Sequence, residues 1–413
     1  MTKPPMLTAQ QALDHLLSHA KPVIESEIVP MQVALGRVLA ESVNSLVDVP
    51  PLDNTSMDGY ALRTADTQVS GSILKIAQRI PAGSVGVTLE PGTVARIFTG
   101  APVPLGADAV VMQEDCAIPE GSTDQVQVNL VPTVGQWIRR QGEDLTAGKT
   151  ALIAGTFLRP QELGVAASAG LTHLNVKRRV KVAAFFTGDE LSLPGEPLKP
   201  GGIYNSNRDT LLACIQSLGC DATDFGIVPD SLNATRETLR KASKDHDLII
   251  TSGGVSVGEE DHIKPAVTAE GRLDLWQIAI KPGKPLAFGA VRKADGEAQA
   301  EAWFIGLPGN PVSSFVTFLL FVRPFILGLQ GRDASLPQSY PMRADFDWLK
   351  ADRRNEFLRV KINTQGGLDL FPNQSSGVLT SASWGDGLVD CPPGQAIKAG
   401  DMVRYIPFNA LLA

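Results

Sequence analysis

Cysteine is scarce in this sequence. Its 413 residues include only four cysteines, and no two of them form a Cys-x-x-Cys pair. They stand at Cys116, Cys214, Cys220 and Cys391. So few and so scattered cysteines disfavour a disulfide framework and a zinc site, and they are typical of proteins kept in a reducing compartment. We therefore expect a cytoplasmic protein that depends on neither.

Long apolar segments and an excess of positive charge are also missing. The longest apolar run covers residues 315–322, which is far shorter than the roughly 20 residues of a membrane-spanning helix. Residues 1–6 contain no apolar core, so we expect no export signal. The 37 Lys and Arg against 44 Asp and Glu give a formal net charge of -7. This mild acidity disfavours nucleic acid as the main partner, and we expect no membrane partner either.

Secondary-structure patterns change along the chain. Thr8 and Gln11 form a capping box that predicts a helix, and residues 33–40 carry apolar residues at helical spacing. Short apolar runs separated by glycine and proline over residues 71–133 are typical of a small β domain. From residue 179 onwards, predicted strands alternate with helices, which indicates a parallel sheet covered on both faces.

Two helices of this α/β part have predicted boundary signals. Asn207 is the expected N-cap of a helix over residues 208–218, which Gly219 would end. Residues 312–329 are predicted to form the last helix of the α/β part. Pro324 marks a kink or a break in it, because proline cannot donate a backbone hydrogen bond.

The chain is too long for a single core, so we predict a multidomain α/β and β protein. Its centre is a three-layer α/β domain with a parallel-type sheet. It is flanked by a helical and irregular domain with an inserted small β domain, and by a C-terminal β-barrel-like domain. The predicted bounds are 1–50 with 138–178 for the helical domain, 51–137 for the inserted β domain, 179–330 for the α/β domain and 331–413 for the C-terminal domain.

A glycine-rich segment follows a short apolar run at residues 248–250. Its candidate ligand-binding residues are Thr251, Ser252, Gly253, Gly254, Ser256 and Gly258. Glycine lets the backbone approach a ligand closely, and serine hydroxyls with free N–H groups can hold phosphate oxygens. The acidic residues 259–261 that follow suit a Mg²⁺ site or the positioning of a nucleophile. An ordinary loop between a strand and a helix is the alternative.

Other polar segments also follow predicted strands. They are residues 187–190 (Thr-Gly-Asp-Glu), Asp230 and residues 281–284 (Lys-Pro-Gly-Lys). Ligands of open α/β sheets bind beyond the carboxyl ends of the strands, so we expect these segments to converge on one crevice. Asp189 and Glu190 suit a metal or base role. The two lysines suit phosphate or another oxyanion, and a charged surface turn is the alternative.

Two further segments are less specific by themselves. Residues 307–314 form a turn that feeds a helix, where Ser313 or Ser314 could present backbone N–H groups to an anion. A plain capped helix explains these residues equally well. Asp58 stands in a Met-Asp-Gly turn, and by itself it is typical of a turn former.

Seven of these segments occur together in a particular order. They are Asp53-Asn-Thr-Ser-Met-Asp-Gly-Tyr60, Phe98-Thr-Gly-Ala-Pro-Val-Pro104, Arg140-Gln-Gly-Glu-Asp144, Thr187-Gly-Asp-Glu190, Thr251-Ser-Gly-Gly-Val-Ser-Val-Gly258, Lys281-Pro-Gly-Lys284 and Gly306-Leu-Pro-Gly-Asn-Pro311. The set resembles the molybdopterin molybdenumtransferase family, which includes bacterial MoeA and the gephyrin E domain. The Gly-Gly segment alone does not separate this family from the related molybdopterin adenylyltransferases, but the Met-Asp-Gly-Tyr motif and the flanking domains do.

The resemblance implies an elongated homodimer with four domains per subunit. The helical domain would mediate dimerisation, and the two subunits would share each site. It also implies that adenylylated molybdopterin and molybdate are converted to molybdenum cofactor and AMP with Mg²⁺. Molybdopterin adenylyltransferase is the implied transient partner. Because molybdenum prefers soft sulfur and the sequence has no cysteine cluster, we expect the dithiolene of the substrate to be its ligand.

The same resemblance implies roles for individual residues. The catalytic residues would be Asp58, Thr99, Asp144, Glu190, Asp230, Asp261 and Lys281, among which Glu190, Asp230 and Asp261 would bind the metal. The substrate-binding residues would be Thr251, Ser252, Gly253, Gly254, Ser256, Gly258, Lys284, Pro308, Gly309, Asn310, Pro311, Ser313, Arg354 and Ser375 or Ser376. Some relatives carry a lysine four residues before the equivalent of Lys281, where this sequence has Gln277.

Three other functions compete with this one. The first is a gephyrin-like scaffold, which we disfavour because no disordered linker is evident in the sequence. The second is an adenylyltransferase that acts one step earlier. The third, on the residues alone, is a generic nucleotide-binding phosphohydrolase. The residues favour neither molybdenum nor tungsten.

Overall fold

The computed structural model describes residues 6–254, 262–293, 300–334 and 337–412. The chain divides into two compact units. One unit, which we call the inner unit, comprises Ile28–Val176. The other, the outer unit, combines Met1–Glu27 with Lys177–Ala413. The fold is a multidomain combination of α/β and β structure, as the sequence predicts.

The helices of the described chain are mostly short. They are α1 Ala9–His19, α2 Pro160–Ser168, α3 Ser206–Ser217, α4 Leu232–Asp245, α5 Ile263–Glu270, α6 Pro311–Thr317, α7 Arg323–Gln330, α8 Thr380–Trp384 and α9 Asn409–Leu412. The predicted capping box of α1 is confirmed. The hydroxyl of Thr8 accepts from the backbone N–H of Gln11, whose side chain accepts from the backbone N–H of Thr8.

The strands of the inner unit are short, and the first and last extend slightly past its bounds. They are β1 Ser26–Pro30, β2 Val43–Asn44, β3 Asn54–Thr55, β4 Gly59–Leu62, β5 Ser72–Ile80, β6 Thr93–Ile97, β7 Ala109–Met112, β8 Cys116–Ala117, β9 Gln125–Val128, β10 Ile138–Arg139, β11 Thr150–Leu152 and β12 His173–Lys177. Six of them form one sheet in the order β7-β4-β6-β5-β9-β8. Tyr60 and Leu62 lie in one buried cluster and Ala61 in another, so side chains from both faces of β4 are packed.

The predicted helix over residues 33–40 is wrong. A 3₁₀-helix covers only Met31–Val33, and isolated bridges then join Val38 to Phe157 and Leu39 to Val176. Gly36 has a φ of 74°, which is a left-handed conformation that no α-helix contains. The apolar spacing therefore reflects burial beside strands rather than helical periodicity.

The α/β part of the outer unit contains strands β13 Lys181–Thr187, β14 Leu191–Ser192, β15 Ile203–Tyr204, β16 Asp221–Val228, β17 Leu248–Ser252, β18 Gly271–Gln277, β19 Ile280–Lys281, β20 Pro285–Arg292 and β21 Glu301–Leu307. Its main sheet has the order β16-β13-β17-β21-β20-β18. The first four strands are parallel, as predicted.

The last two strands of this sheet depart from the parallel arrangement of the first four. β20 is antiparallel to both β21 and β18. Only residues 278–284 separate β18 from β20, which is too short for the helical crossover that parallel neighbours need. Because β18 is reversed twice relative to β21, it runs in the same direction as the parallel strands. Its carboxyl end therefore reaches the same edge of the sheet as theirs.

The last helical segment of the α/β part is continuous but changes its hydrogen bonding. A π-helix over Phe318–Val322 joins α6 to α7, and Pro324 is the second residue of α7. The 20-residue segment Pro311–Gln330 is long and apolar enough to cross a membrane, with a mean hydropathy of 1.9. All of the corresponding window is buried inside the protein. Since core helices pass the same test, this is weak grounds for a membrane span.

The C-terminal part of the outer unit is a nearly closed, barrel-like sheet. Its strands are β22 Tyr340–Arg343, β23 Asn355–Ile362, β24 Leu368–Leu370, β25 Gly387–Cys391 and β26 Met402–Pro407. The order is β19-β23-β25-β26-β22, and β24 also pairs with β23. A bridge between Ala344, which follows β22, and Leu368 of β24 nearly closes the sheet. The α/β part contributes β19, in which Ile280 and Lys281 lie opposite Asn355 and Glu356.

Candidate active site

A cavity of about 810 Å³ lies at the carboxyl ends of β13, β17 and β21 in the outer unit. Its lining combines strand ends, the start of α3, the turn after β19, the start of α6 and two segments of the C-terminal part. The lining residues are Thr187, Gly188, Glu190, Leu191, Ile203, Asn205, Asn207, Asp230, Ser252, Gly253, Gly254, Lys281, Pro282, Gly283, Lys284, Pro285, Pro308, Gly309, Asn310, Pro311, Ser313, Arg354, Gln374, Ser375 and Ser376.

Most of the predicted outer-unit residues meet in this cavity. Those that line it are Glu190, Asp230, Lys281, Ser252, Gly253, Gly254, Lys284, Pro308, Gly309, Asn310, Pro311, Ser313, Arg354 and Ser375. Thr251 is instead buried within β17, where its hydroxyl has no hydrogen-bond partner among the described residues. Ser256, Gly258 and Asp261 lie outside the described residues.

Two glycines bring the backbone close to the cavity. Gly253 and Gly254 have φ values of 99° and 64°. A Cβ on Gly253 would lie 2.7 Å from the carbonyl oxygen of Thr187, and one on Gly254 would lie 2.7 Å from Ile263. Neither position can hold a larger residue without moving its surroundings. The glycines therefore leave this part of the cavity wall as bare backbone, which suits close contact with phosphate oxygens.

Asn207 fixes the loops that form this wall. Its side-chain amide donates to the hydroxyl of Ser252 at 2.8 Å and to the carbonyl oxygen of Gly309 at 2.7 Å. Ser252 in turn donates to the carbonyl oxygen of Pro308 at 2.9 Å. The predicted N-cap role of Asn207 is wrong, because Asn205 caps α3 by accepting from the backbone N–H of Arg208. The sequence therefore indicated that the side chain of Asn207 forms hydrogen bonds, but it did not reveal the partners.

Glu190 and Asp230 bring two carboxylates to the cavity. In the described part of the chain, neither of them forms an ion pair, and no three Asp, Glu, His or Cys residues are grouped as a metal site. A Cβ on Gly188 would lie 2.7 Å from Oε2 of Glu190, so the glycine makes room for this carboxylate. Mg²⁺ is commonly held by one or two carboxylates together with substrate phosphates. Glu190 and Asp230 therefore fit the donor set that a Mg²⁺ ion takes from a protein.

Lys281 is neutralised by carboxylates from the C-terminal part. Its Nζ lies 2.7 Å from Oε1 of Glu356 and 3.4 Å from Oδ2 of Asp352. Glu356 is only 1% exposed, and its other oxygen accepts from the indole N–H of Trp348 at 2.8 Å. Lys281 is therefore held in place by a buried acid, and its charge is not free to act alone on a bound anion.

Arg354 is anchored by Asp352, which also contacts Lys281. Its backbone N–H and guanidinium donate to the carboxylate of Asp352 at 3.0 to 3.2 Å. These bonds from Arg354, with a smaller contribution from Lys281, hold the pKa of Asp352 well below its usual range. Sequence reasoning missed Asp352 and Glu356. Asp352 precedes β23 and Glu356 lies within it. An acid buried on a strand needs a cation as its partner, and this requirement is the one signal that could have suggested these two residues.

The inner unit contains the remaining predicted residues. Both the backbone N–H and the hydroxyl of Thr99 donate to Oδ1 of Asp58, at 2.8 and 2.7 Å. These two bonds lower the pKa of Asp58 below its ordinary value. Its Oδ2 accepts no hydrogen bond in the described part of the chain. Asp144 is exposed, and its backbone N–H donates to the carbonyl oxygen of Val49.

Comparison with known proteins shows the family to which this chain belongs. Family models match along the chain: "MoeA N-terminal region (domain I and II)" over residues 7–170, "Probable molybdopterin binding domain" over 183–328 and "MoeA C-terminal region (domain IV)" over 341–408. The molybdopterin molybdenumtransferase of Haemophilus influenzae is 38% identical, over 98% of this chain and all of that protein. This chain belongs to the molybdopterin molybdenumtransferase family.

Other relatives agree with this assignment. The molybdopterin molybdenumtransferase of Nostoc sp. is 35% identical, over 92% of this chain and 88% of that protein. The crystal structure of the molybdopterin biosynthesis moeA protein from Pyrococcus horikoshii is similar to this one with a TM-score of 0.83. It is 28% identical, and the match covers 98% of this chain and all of that one. The family resemblance inferred from the seven sequence segments is thereby confirmed.

Proposed function

We propose that this protein is a molybdopterin molybdenumtransferase, which inserts molybdate into adenylylated molybdopterin and releases AMP with Mg²⁺. The observation that carries this proposal is the 38% identity to an enzyme of that name along the full length of both chains. The cavity supports it, because it joins bare glycine backbone, carboxylates and cations in one space. These are the groups that a charged pyrophosphate substrate needs.

The proposed role of each cavity residue follows from its chemistry. The backbone of Gly253 and Gly254, with Ser313 and Lys284, would hold phosphate oxygens. Glu190 and Asp230 would hold Mg²⁺, and Asp261, which lies outside the described residues, is the third proposed ligand. When bound, Mg²⁺ would polarise the pyrophosphate bond that is broken when AMP leaves. The two carboxylates follow the carboxyl ends of β13 and β16, so they would reach the substrate from the same edge of the sheet.

The thiols of this chain are poor candidates for holding molybdenum. All four cysteines are free, and three of them are buried. Burial raises the pKa of Cys214 and Cys220 to about 12 and of Cys116 and Cys391 to about 11. They stay protonated at neutral pH, whereas a metal needs the thiolate. We therefore propose that the dithiolene of the substrate binds molybdenum, while Lys281, Arg354 and Ser375 position the molybdate oxyanion.

We further propose a homodimer in which each site takes residues from both subunits. Large apolar side chains are exposed in the first part of the inner unit, at Ile28, Val33, Leu35, Leu46, Val47 and Leu52. In the proposed dimer, a second copy of this chain would cover these side chains. Asp58 offers a free carboxylate oxygen but does not line the described cavity, so a second subunit could supply it. We propose that the same subunit that supplies Asp58 also supplies Asp144 and Thr99.

We propose a cytoplasmic location and one transient protein partner. The four free cysteines suit a reducing cytoplasm. A molybdopterin adenylyltransferase is the proposed transient partner, because its class of reaction makes the adenylylated substrate. Nucleic acid and membrane are not proposed as partners. An adenylyltransferase or a scaffold function is disfavoured, because relatives named molybdopterin molybdenumtransferase match this chain along nearly its full length.

The proposed function has a direct test. Purified protein would be given adenylylated molybdopterin, molybdate and Mg²⁺, and both AMP and active molybdenum cofactor would be measured. Both products should form, and omission of molybdate should prevent formation of the cofactor. A protein that consumes ATP and molybdopterin to make the adenylylated compound would instead be the adenylyltransferase. A protein that binds the substrate without releasing AMP would be a binding module.

A further inference from the structure

The Asp58–Thr99 pair lies where two neighbouring strands end. β4 begins at Gly59 and β6 ends at Ile97, and these two residues are opposite each other in an antiparallel register. The segment that carries Asp58 therefore leaves the sheet beside the segment that carries Thr99. The bonds within the pair explain which oxygen of Asp58 is occupied. Farther from the sheet, the backbone N–H of Gly100 donates to the carbonyl oxygen of Thr55 at 2.8 Å, and that of Thr55 donates to the carbonyl oxygen of Ala101 at 3.0 Å.

Arg96 contacts both segments with one side chain. Its Nη1 donates to the carbonyl oxygen of Gly59 at 2.9 Å. Its Cζ lies 5.1 Å from the ring centre of Tyr60 and 4.7 Å from that of Phe98. Both distances are those of cation–π contacts. The guanidinium therefore contacts the residue that follows the acid of the pair and the residue that precedes the threonine.

Gln113 connects Arg96 to Asp58 by a second route. The backbone N–H of Gln113 donates to the carbonyl oxygen of Asp58 at 3.1 Å, and its side-chain oxygen accepts from Nη2 of Arg96. Gly59 is also confined, because a Cβ there would lie 1.9 Å from the carbonyl oxygen of Val111. The backbone beside the Asp58 carboxylate is therefore held by Gln113 and by the close packing of Gly59.

Arg79 offers a matched comparison within the same sheet. It lies opposite Arg96 on β5, and its Cζ is 4.4 Å from the ring centre of Phe98. Arg79 is exposed, and in the described part of the chain it forms no hydrogen bond with residues 58–60. The two arginines thus share a charge and an aromatic contact, but only Arg96 bonds to the segment that carries Asp58.

We infer that Arg96 is a positioning residue that holds the Asp58–Thr99 pair so that Oδ2 of Asp58 faces the reacting substrate. This inference rests on the proposed function, because it takes Asp58 to act in the metal-transfer reaction. Arg96 is not a catalytic residue, since it acts through the pair. Its removal should loosen the pair while the backbone hydrogen bonds of β4 and β6 keep the sheet intact.

The first test needs no substrate. Amide hydrogen exchange of the peptide that contains Thr99 would be compared in Arg96→Met, Arg96→Lys and Arg79→Met. Exchange should become at least ~10-fold faster in Arg96→Met, because the Thr99 N–H loses its fixed acceptor, and it should stay unchanged in Arg79→Met. Arg96→Lys keeps the charge, so it should lie between the two, and it replaces Arg96→Met if that variant does not fold. Unchanged exchange in both Arg96 variants would overturn the inference.

The second test separates positioning from general structural damage. AMP release would be measured for Arg96→Met, Asp58→Asn and the double variant. If Arg96 acts through Asp58, the double variant should be no slower than Asp58→Asn alone, whereas independent effects would multiply. Multiplied losses would contradict the inference. An inactive wild-type protein would refute the proposed function, and the exchange measurement would then still decide the role of Arg96.

Discussion

The cavity of the outer unit and the Asp58–Thr99 pair of the inner unit are built in different ways. The cavity collects residues from many segments, because the carboxyl ends of five strands that run in one direction meet at one edge. The pair depends on two adjacent strand ends and one arginine. In the proposed reaction, the cavity provides backbone, carboxylates and cations for substrate binding, whereas the pair provides the oriented carboxylate of Asp58. A substitution in the cavity should therefore affect several contacts with the substrate, and one in the pair should affect only the role of that carboxylate.

The largest effect should come from closing the glycine wall of the cavity. Gly253→Ala adds a Cβ 2.7 Å from the carbonyl oxygen of Thr187 at a φ of 99°. We expect AMP release to fall at least ~100-fold, because the wall must move away from the substrate. The matched control is Gly309→Ala, since Gly309 also lines the cavity and its nearest contact would be an ordinary 3.8 Å. Equal activity losses in the two variants would contradict this account of the wall.

Removal of Lys281 should have a smaller, divided effect. Lys281→Met leaves the buried carboxylate of Glu356 without its cation, so the free energy of unfolding should fall by about 1–2 kcal/mol. This is less than for a fully buried pair, because the Lys281 side chain is 41% exposed. The molybdate concentration for half-maximal rate should also rise, by roughly 10-fold.

The double variant Lys281→Met/Glu356→Gln distinguishes the two roles of the lysine. It removes the uncompensated buried charge, so much of the stability should return, as chemical denaturation would show. The dependence on molybdate should stay weakened, because the cation is still missing. If stability and molybdate dependence recover together, Lys281 is only a structural partner of Glu356.

The smallest effect concerns stability at low pH. The folded-state pKa of Asp352 is depressed by Arg354, so its contribution to stability is full above the unfolded pKa of about 3.9. It should be lost as the pH falls below about 4 towards the folded value. The difference in unfolding free energy between wild type and Asp352→Asn should therefore shrink on acidification. A difference that is constant from pH 6 to pH 2.5 would show that Asp352 contributes no pH-dependent stability.

Much of the cavity could be predicted because strand order alone brings its parts together. Glu190, Asp230 and Lys281 follow strands that run in one direction, and all three line the cavity. The capping box at Thr8 was likewise predictable, since it depends on residues three apart. Local chemistry and chain direction are both properties that a sequence displays.

The misses share a different physical origin. The carboxylate of Glu356 meets Lys281 only because β19 pairs with β23, a contact between residues 75 positions apart. Asn207 binds Ser252 and Gly309 rather than capping its helix, because the chain brings these loops together. Residues 33–40 looked helical because apolar spacing does not reveal the left-handed Gly36. Pairings distant in sequence, and backbone conformations set by them, leave little local signal.

We propose that the cavity and the Asp58–Thr99 pair serve one reaction from two subunits of a dimer. The most direct test mixes two inactive variants, Asp58→Ala and Asp230→Ala, by unfolding and refolding them together in equal amounts. Half of the dimers should be mixed, and one of the two sites in each mixed dimer would be intact in every residue. We expect about a quarter of the wild-type AMP release to return. If each subunit holds a complete site of its own, every site stays damaged, and no activity above that of the separate variants would contradict the claim.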